Sequence, residues 1–311
     1  MIVPERKKVA IVGIGNIARK VYLPLLSQHV HAELVGILSH SPTTVQQAVH
    51  AYRFPKGTTN MDELLSWELD AVFVHSPTAT HYDIVTKCLE HGISVYVDKP
   101  LSYDLEESRR MAELAEDKGL LLGVGFNRRY APLYRDAKRW LEEAGGISHC
   151  TAIKHRTKPQ SGSSRETVHD DLIHMLDLLL WLCGGDYELL RSNLQSDSKG
   201  RLLQASGMLG WDHGAIGMYS MVREAGVDLE KLELHGHGRS VEVMDLERAV
   251  LYEKDALPRT QSFGSWDTVL DRRGFSGVVY HFLNHLSTPE QCTIAASAVL
   301  PSHMLAAQLT E

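Results

Sequence analysis

The chain is poor in cysteine. Its 311 residues hold four, Cys88, Cys150, Cys183 and Cys292, with no CxxC and no paired spacing. A disulfide framework or a cysteine-bound zinc is therefore not expected. The thiols read as buried residues of a protein kept in a reducing, cytoplasmic compartment. Long apolar runs are missing too, and no stretch approaches the roughly 20 residues of a bilayer-spanning helix. The segment ahead of the first apolar run, MIVPERKK, is too short to read as a secretory signal. Basic runs are also absent. A net charge of −7 makes neither nucleic acid nor an anionic membrane an expected partner. The 17 histidines form no HExxH or other tight ligand spacing, so no metal site is expected. There is no internal repeat and no low-complexity linker. What remains, 43% apolar and 23% charged residues, suits a soluble globular chain long enough for two domains.

The most informative segment that is present is VAIVGIGNIARKVYLPLL, residues 9–26. A short β-branched run leads into Gly13-Ile14-Gly15-Asn16-Ile17-Ala18, and a helical apolar pattern follows. Each small residue has a mechanical reason to be there. Gly13 lets the chain leave a strand sharply, Gly15 lets backbone approach a pyrophosphate, and Ala18 lets the helix lie close on the sheet. The helix N-terminus would offer its free N–H groups to the phosphates. The plain alternative is an ordinary tight turn. Short apolar strands alternate with helical patterns as far as about residue 125, which implies a parallel sheet covered on both faces. Beyond Gly125 the rhythm changes. Strand-like stretches follow in series, interrupted by one strong helix near 170–182 and closed by two helices near 275–286 and 293–309. That pattern predicts an α+β domain with a mainly antiparallel sheet. The expected organisation is therefore 1–125 for dinucleotide binding and 126–311 for substrate and subunit contacts, with the C-terminal helices free to pack back on the first domain. The polar stretch 158–167 reads as a mobile loop over a site.

Several groups carry chemistry. Asp98-Lys99-Pro100 follows an apolar strand, so Lys99 sits at a carboxyl end, where open α/β sheets bind ligands. A lysine partly desolvated there can exchange protons with a bound alcohol; the alternative is a solvated loop lysine. Asp170, His174 and Asp177 are spaced to share one helical face, either as a substrate face or as a plain exposed face. Ser76-Pro77 would pass near a cofactor ribose, while Thr78 and His81 would equally open a helix. Arg128 and Arg129 read as a structural ion pair or as active-site residues. Lys154 and Arg156, alternate residues of one strand, could meet an acidic substrate, though solvent exposure is the simpler fate.

GIGNIA (13–18), VHSPTATH (74–81), VDKPL (97–101), VGFNRRYAPLY (124–134) and DDLIHMLD (170–177), in this order and spacing, resemble the Gfo/Idh/MocA oxidoreductases, most closely the MviM-type branch. The resemblance is strong to about Gly146 and weaker after Gly185. It implies an α/β protein: a Rossmann doubly wound parallel sheet followed by the α+β domain. It further implies an NAD(P)-dependent dehydrogenase acting on a secondary alcohol of a sugar, cyclitol or related compound. Lys99 would hydrogen-bond the reacting hydroxyl, followed by a proline that is often cis, with His174 assisting and Asp170 orienting. Asn127 and Arg129 would join Lys99, Asp170 and His174 at the substrate. The cofactor set would be Gly13, Gly15, Asn16 and Ile17, then Ser39 and His40, then Ser76, Pro77 and His81, and Asp98. Two positions depart from the family pattern: Asp98 replaces the usual glutamate before Lys-Pro, and Leu172 replaces the glycine of DxGxHxxD. The second strand ends in Leu38-Ser39-His40-Ser41, with no carboxylate for the ribose hydroxyls, so the reading leans to NADP. A homodimer or homotetramer is implied by the resemblance alone. Two other functions stay open: a silent NAD(P)-binding sensor, since fold does not prove chemistry, and a redox-neutral NAD-dependent glycosidase.

Overall fold

The computed structural model describes residues 6–311 and divides into two compact units. One takes the chain as far as Gly125 together with Val278–Leu300, and the other takes Phe126–Gly277 and Pro301–Glu311.

In the first unit β1 (Lys7–Val12), β2 (Ala32–Leu38), β3 (Lys56–Thr58), β4 (Ala71–Val74), β5 (Ser94–Val97) and β6 (Leu122–Val124) form one sheet. Its order is β3-β2-β1-β4-β5-β6 and every pair is parallel. Every residue of β4 and β5 is buried, because helices cover both faces and all but Ser94 of these strands are apolar or aromatic. β3 is the strand that hydrophobic patterning misses. It is a three-residue edge strand, Lys-Gly-Thr, with only Thr58 buried. The strand order reverses between β1 and β4, so the crevice beyond their carboxyl ends is where a doubly wound sheet takes its ligand.

Residues 278–300 complete this unit. The helix Phe275–Asn284 places Phe282 edge-on against Phe73 and Tyr96, each at 5.4 Å between ring centres. Val124 N donates to Ile294 O at 2.9 Å. Gly123 is required here, since a Cβ would come within 2.6 Å of the Phe282 ring.

In the second unit β7 (His149–His155), β8 (Tyr187–Ser196), β9 (Leu202–Trp211), β10 (Ile216–Val222), β11 (Leu229–Gly236), β12 (Arg239–Met244), β13 (Arg248–Glu253) and β14 (Arg259–Ser262) build an eight-stranded sheet. Its order is β14-β13-β12-β11-β7-β10-β9-β8. Every neighbouring pair is antiparallel except β7 and β10. β7 and β11 alternate buried and half-buried residues, as a sheet with one covered face should. The covering helix is not a plain α-helix from 170. It begins as a turn at Ser164–Thr167, widens to a π turn at Val168–Leu172, and runs as α-helix over Ile173–Cys183. The stretch read from sequence as a mobile loop thus ends in a capped helix start. Ser163 N donates to Glu166 Oε2 at 2.6 Å, and Glu166 N donates back to Ser163 Oγ at 3.2 Å. This S-x-x-E capping box was present in the sequence as a signal.

Candidate active site

The first unit holds a cavity of about 660 Å³ over the glycine turn, lined by Val12–Ile17, by Ser39, His40 and Thr44 after β2, and by His75, Ser76 and Pro77 after β4. Gly13 has φ of +88°, and a Cβ there would lie 2.5 Å from Ser76 N, so both turn and packing demand glycine. At Gly15 the reverse holds. A Cβ would meet nothing closer than His75 O at 4.0 Å, so the missing side chain leaves open space above the backbone. Ala18 is fully buried, which brings the following helical segment against the sheet. Open backbone at the turn, a helix start beyond it and a wide cavity fit a dinucleotide. Gly13, Gly15, Asn16, Ile17, Ser39, His40, Ser76 and Pro77 all line it.

Two of the expected cofactor residues do other work. His81 is 1% exposed and outside the cavity lining. Its Nδ1 lies 2.9 Å from Pro100 O and its Nε2 3.0 Å from Ser76 O, so it ties the Ser-Pro loop to the Asp-Lys-Pro loop. Burial lowers its pKa, against the pull of the two carbonyls and Asp98. Asp98 also lies outside the lining and accepts from His75 Nδ1 at 2.8 Å. Burial raises its carboxyl, but His75, His81 and Lys99 outweigh that and hold it below its ordinary value. Both residues position loops and do not line the cavity.

His75 was not among the residues expected at the site. It is 5% exposed, lines the cavity, stacks on Tyr22 at 3.8 Å, and has its Nε2 buried without a hydrogen-bond partner. Its place at the last step out of β4, directly before Ser76-Pro77, was the available signal. Lys99 follows β5 and is half-buried, and the Lys99–Pro100 peptide is cis.

In the second unit His174 is 6% exposed and meets Phe126 edge-on at 6.3 Å. Asp170 accepts from Gln160 Nε2 at 3.1 Å. Two expected substrate residues are committed elsewhere. The Asn127 amide donates to Arg273 O at 2.7 Å and is buried. Arg129 donates twice to Asp177, at 2.9 and 2.6 Å, and Asp177 also accepts from Ser302 Oγ at 2.9 Å. Asp177 is 1% exposed, so the third member of the Asp-His-Asp face is the buried half of an ion pair.

Lys154 and Arg156 were expected in solvent, and the structure places both in one charge cluster, Lys154 buried and Arg156 half-buried. Arg128 grips Glu230 with two bonds of 2.5 and 2.9 Å. Lys154 pairs with Asp171, and Arg223 reaches Asp171 at 2.6 Å. Arg156 stands 3.9 Å from both Asp171 and Glu230. Gln160 joins this cluster to Asp170, because its Oε1 accepts from Arg223 at 3.2 Å. Burial and Arg128 push Lys154 down to about 7, against Asp171 and Glu230. Burial raises Glu230, but Arg128 and Lys154 prevail and bring it to about 2.

A pH dependence follows. A carboxyl depressed on folding stabilises above its unfolded value and loses that contribution as pH falls through its folded one. For Glu230 the window runs from about 4.5 down to about 2, and the contribution is on the order of 3 kcal/mol. Urea unfolding across that window should show the loss in the wild type and a flatter profile in Glu230→Gln. Parallel profiles would reject the assignment.

The fold and the glycine-turn cavity define an NAD(P)-binding oxidoreductase, and the chain belongs to the Gfo/Idh/MocA family. Residues 7–126 match the oxidoreductase family with an NAD-binding Rossmann fold, and residues 132–254 match the YceM-like C-terminal domain. YceM of Salmonella typhimurium is 35% identical over 96% of both chains. The scyllo-inositol 2-dehydrogenase (NAD(+)) of Bacillus subtilis is 28% identical over 78% of this chain and 72% of its own. The crystal structure of the dehydrogenase MviM from Clostridium difficile superposes with a TM-score of 0.92, at 28% identity, covering 98% of this chain and 99% of that one. Among the described residues no helix is long and apolar enough to cross a membrane, and no group of three or more His, Cys, Asp or Glu is placed to hold a metal ion.

Proposed function

We propose that this enzyme interconverts a secondary alcohol of a sugar or cyclitol and the corresponding ketone. The observation that carries the reading is the open cavity over Gly15 at the sheet's switch point, with Lys99 leaving the next strand, β5. The inositol-oxidising relative from Bacillus subtilis supports the substrate class. When bound, the cofactor supplies hydride acceptance at its nicotinamide ring. Lys99 takes the hydroxyl proton on oxidation and returns it on reduction. By the family pattern, His174 is the assisting group and Asp170, which accepts from Gln160, the orienting one. At the adenosine end Ser39, His40 and Thr44 offer hydroxyls and an imidazole where an NAD-specific site offers a carboxylate, which favours NADP. Ser41 is spent on capping the next helix, where it accepts from Thr44 N at 3.3 Å.

The test is a panel of inositols, aldoses and aryl glycosides, each run with NAD+ and NADP+. Formation of reduced nicotinamide with an inositol or sugar, faster with NADP+, is expected. Aglycone release without net reduction would replace the reading with redox-neutral cleavage. Tight cofactor binding with no turnover across the panel would replace it with a sensor.

A further inference from the structure

Cys150 and Cys183 come together across the second unit. Cys150 lies in β7, fully buried on the face that also carries Ala152 and Lys154. Cys183 is the last residue of the covering helix and is partly exposed. Their sulfurs are 3.5 Å apart. Two further observations bear on the pair. Lys138 Nζ donates to Leu182 O at 3.1 Å, which sets an ammonium beside the helix end that carries Cys183. Residue 217, opposite Cys150 on β10, is glycine, and a Cβ there would come within 3.3 Å of Cys150 Sγ. The Trp211 ring lies nearer still to that position, at 2.8 Å, so the side of the sulfur toward β10 is already filled.

We propose that Cys150 and Cys183 are a peroxide-oxidisable dithiol, a modification site in which Cys183 is the attacking thiol and Cys150 the resolving one. The thiolate, not the thiol, is the nucleophile, and a neighbouring ammonium favours it. The hydrogen bond from Cys150, then Lys138, lowers the Cys183 pKa against the effect of burial, while Cys150 is raised by the same contact and by burial. Cys183 sulfur attacks one oxygen of hydrogen peroxide. An S–O bond forms, the O–O bond breaks, and hydroxide leaves to collect a proton. Cys150 sulfur then attacks the sulfenic sulfur, an S–S bond forms, and the second hydroxide departs as water. Two thiols and one peroxide give one disulfide and two waters, with two electrons passing from sulfur to peroxide. The sulfurs need to close from 3.5 Å to about 2.05 Å. The product would pin the strand of Lys154 to the far end of the helix of Asp170 and His174, and it does not depend on which substrate the enzyme takes.

The experiment treats the folded full chain with graded hydrogen peroxide, blocks remaining thiols with N-ethylmaleimide, and maps peptides without reduction. The expected result is one linked pair of peptides containing Cys150 and Cys183, two hydrogens lighter than their sum and released by dithiothreitol. It should persist in Cys88→Ser and Cys292→Ser and vanish in Cys183→Ser. Cys183 carried on to sulfinic acid with Cys150 still alkylatable would overturn the proposal. So would both thiols remaining free, or a link that forms only in urea. The wild-type map decides the matter even if a variant fails to fold.

Discussion

Lys99→Ala should lower turnover by about 10²- to 10⁴-fold, the usual share of a positioned proton-transfer group, while fluorescence titration of NADPH shows unchanged affinity. The expectation follows from placement. Lys99 leaves β5 at its carboxyl end, and it is absent from the lining of the cavity over the glycine turn. On the proposed mechanism, losing the amine removes the acceptor for the hydroxyl proton and leaves the backbone of the glycine turn intact. Lys99→Arg sharpens the test. It keeps the positive charge but cannot release its proton near neutrality, so it should be nearly as slow as the alanine variant. If arginine restores turnover, Lys99 supplies charge only. If alanine leaves turnover unchanged on a substrate found in the panel, Lys99 has no part in the reaction.

The second large effect is on stability. Arg129→Leu should destabilise the protein by about 3–5 kcal/mol, the cost of leaving one partner of a buried ion pair alone. Asp177 is 1% exposed, and losing the two guanidinium bonds leaves it the hydroxyl of Ser302 among the described residues. The double change Arg129→Leu with Asp177→Leu should recover most of the loss, because two apolar side chains can share the space that the pair filled. Urea unfolding of the three proteins measures this directly. A single variant that is as stable as the wild type but has a raised KM would return Arg129 to the substrate.

These residues show what one sequence can and cannot disclose. GIGNIA was legible because its task falls on the backbone, and glycine spacing records backbone geometry. β4 and β5 were legible as apolar runs. β3 was not, since Lys-Gly-Thr at an edge buries only Thr58. β8 was equally hard to read, because most of its ten residues face solvent. The partners of Arg129 and Asn127 could not be read, because they lie 48 and 146 residues away. Nothing local distinguishes an arginine aimed at a ligand from one aimed at Asp177. Lys154 and Arg156 looked like an exposed strand face for the same reason, since Asp171 and Glu230 arrive from other elements. His81 was drawn to the cofactor by its motif, but its ring is held between two backbone carbonyls.

The return of residues 278–300 to the first sheet sets an order on synthesis. Phe282 and the Val124–Ile294 bond finish the β6 side of the nucleotide-binding layer. A ribosome must therefore translate through the second unit, as far as Leu300, before that layer can close. Until then the rings of Phe73 and Tyr96 lack the edge contact that Phe282 supplies. A fragment cut at Gly125 would keep the fingerprint of a nucleotide-binding protein yet lack part of its own core.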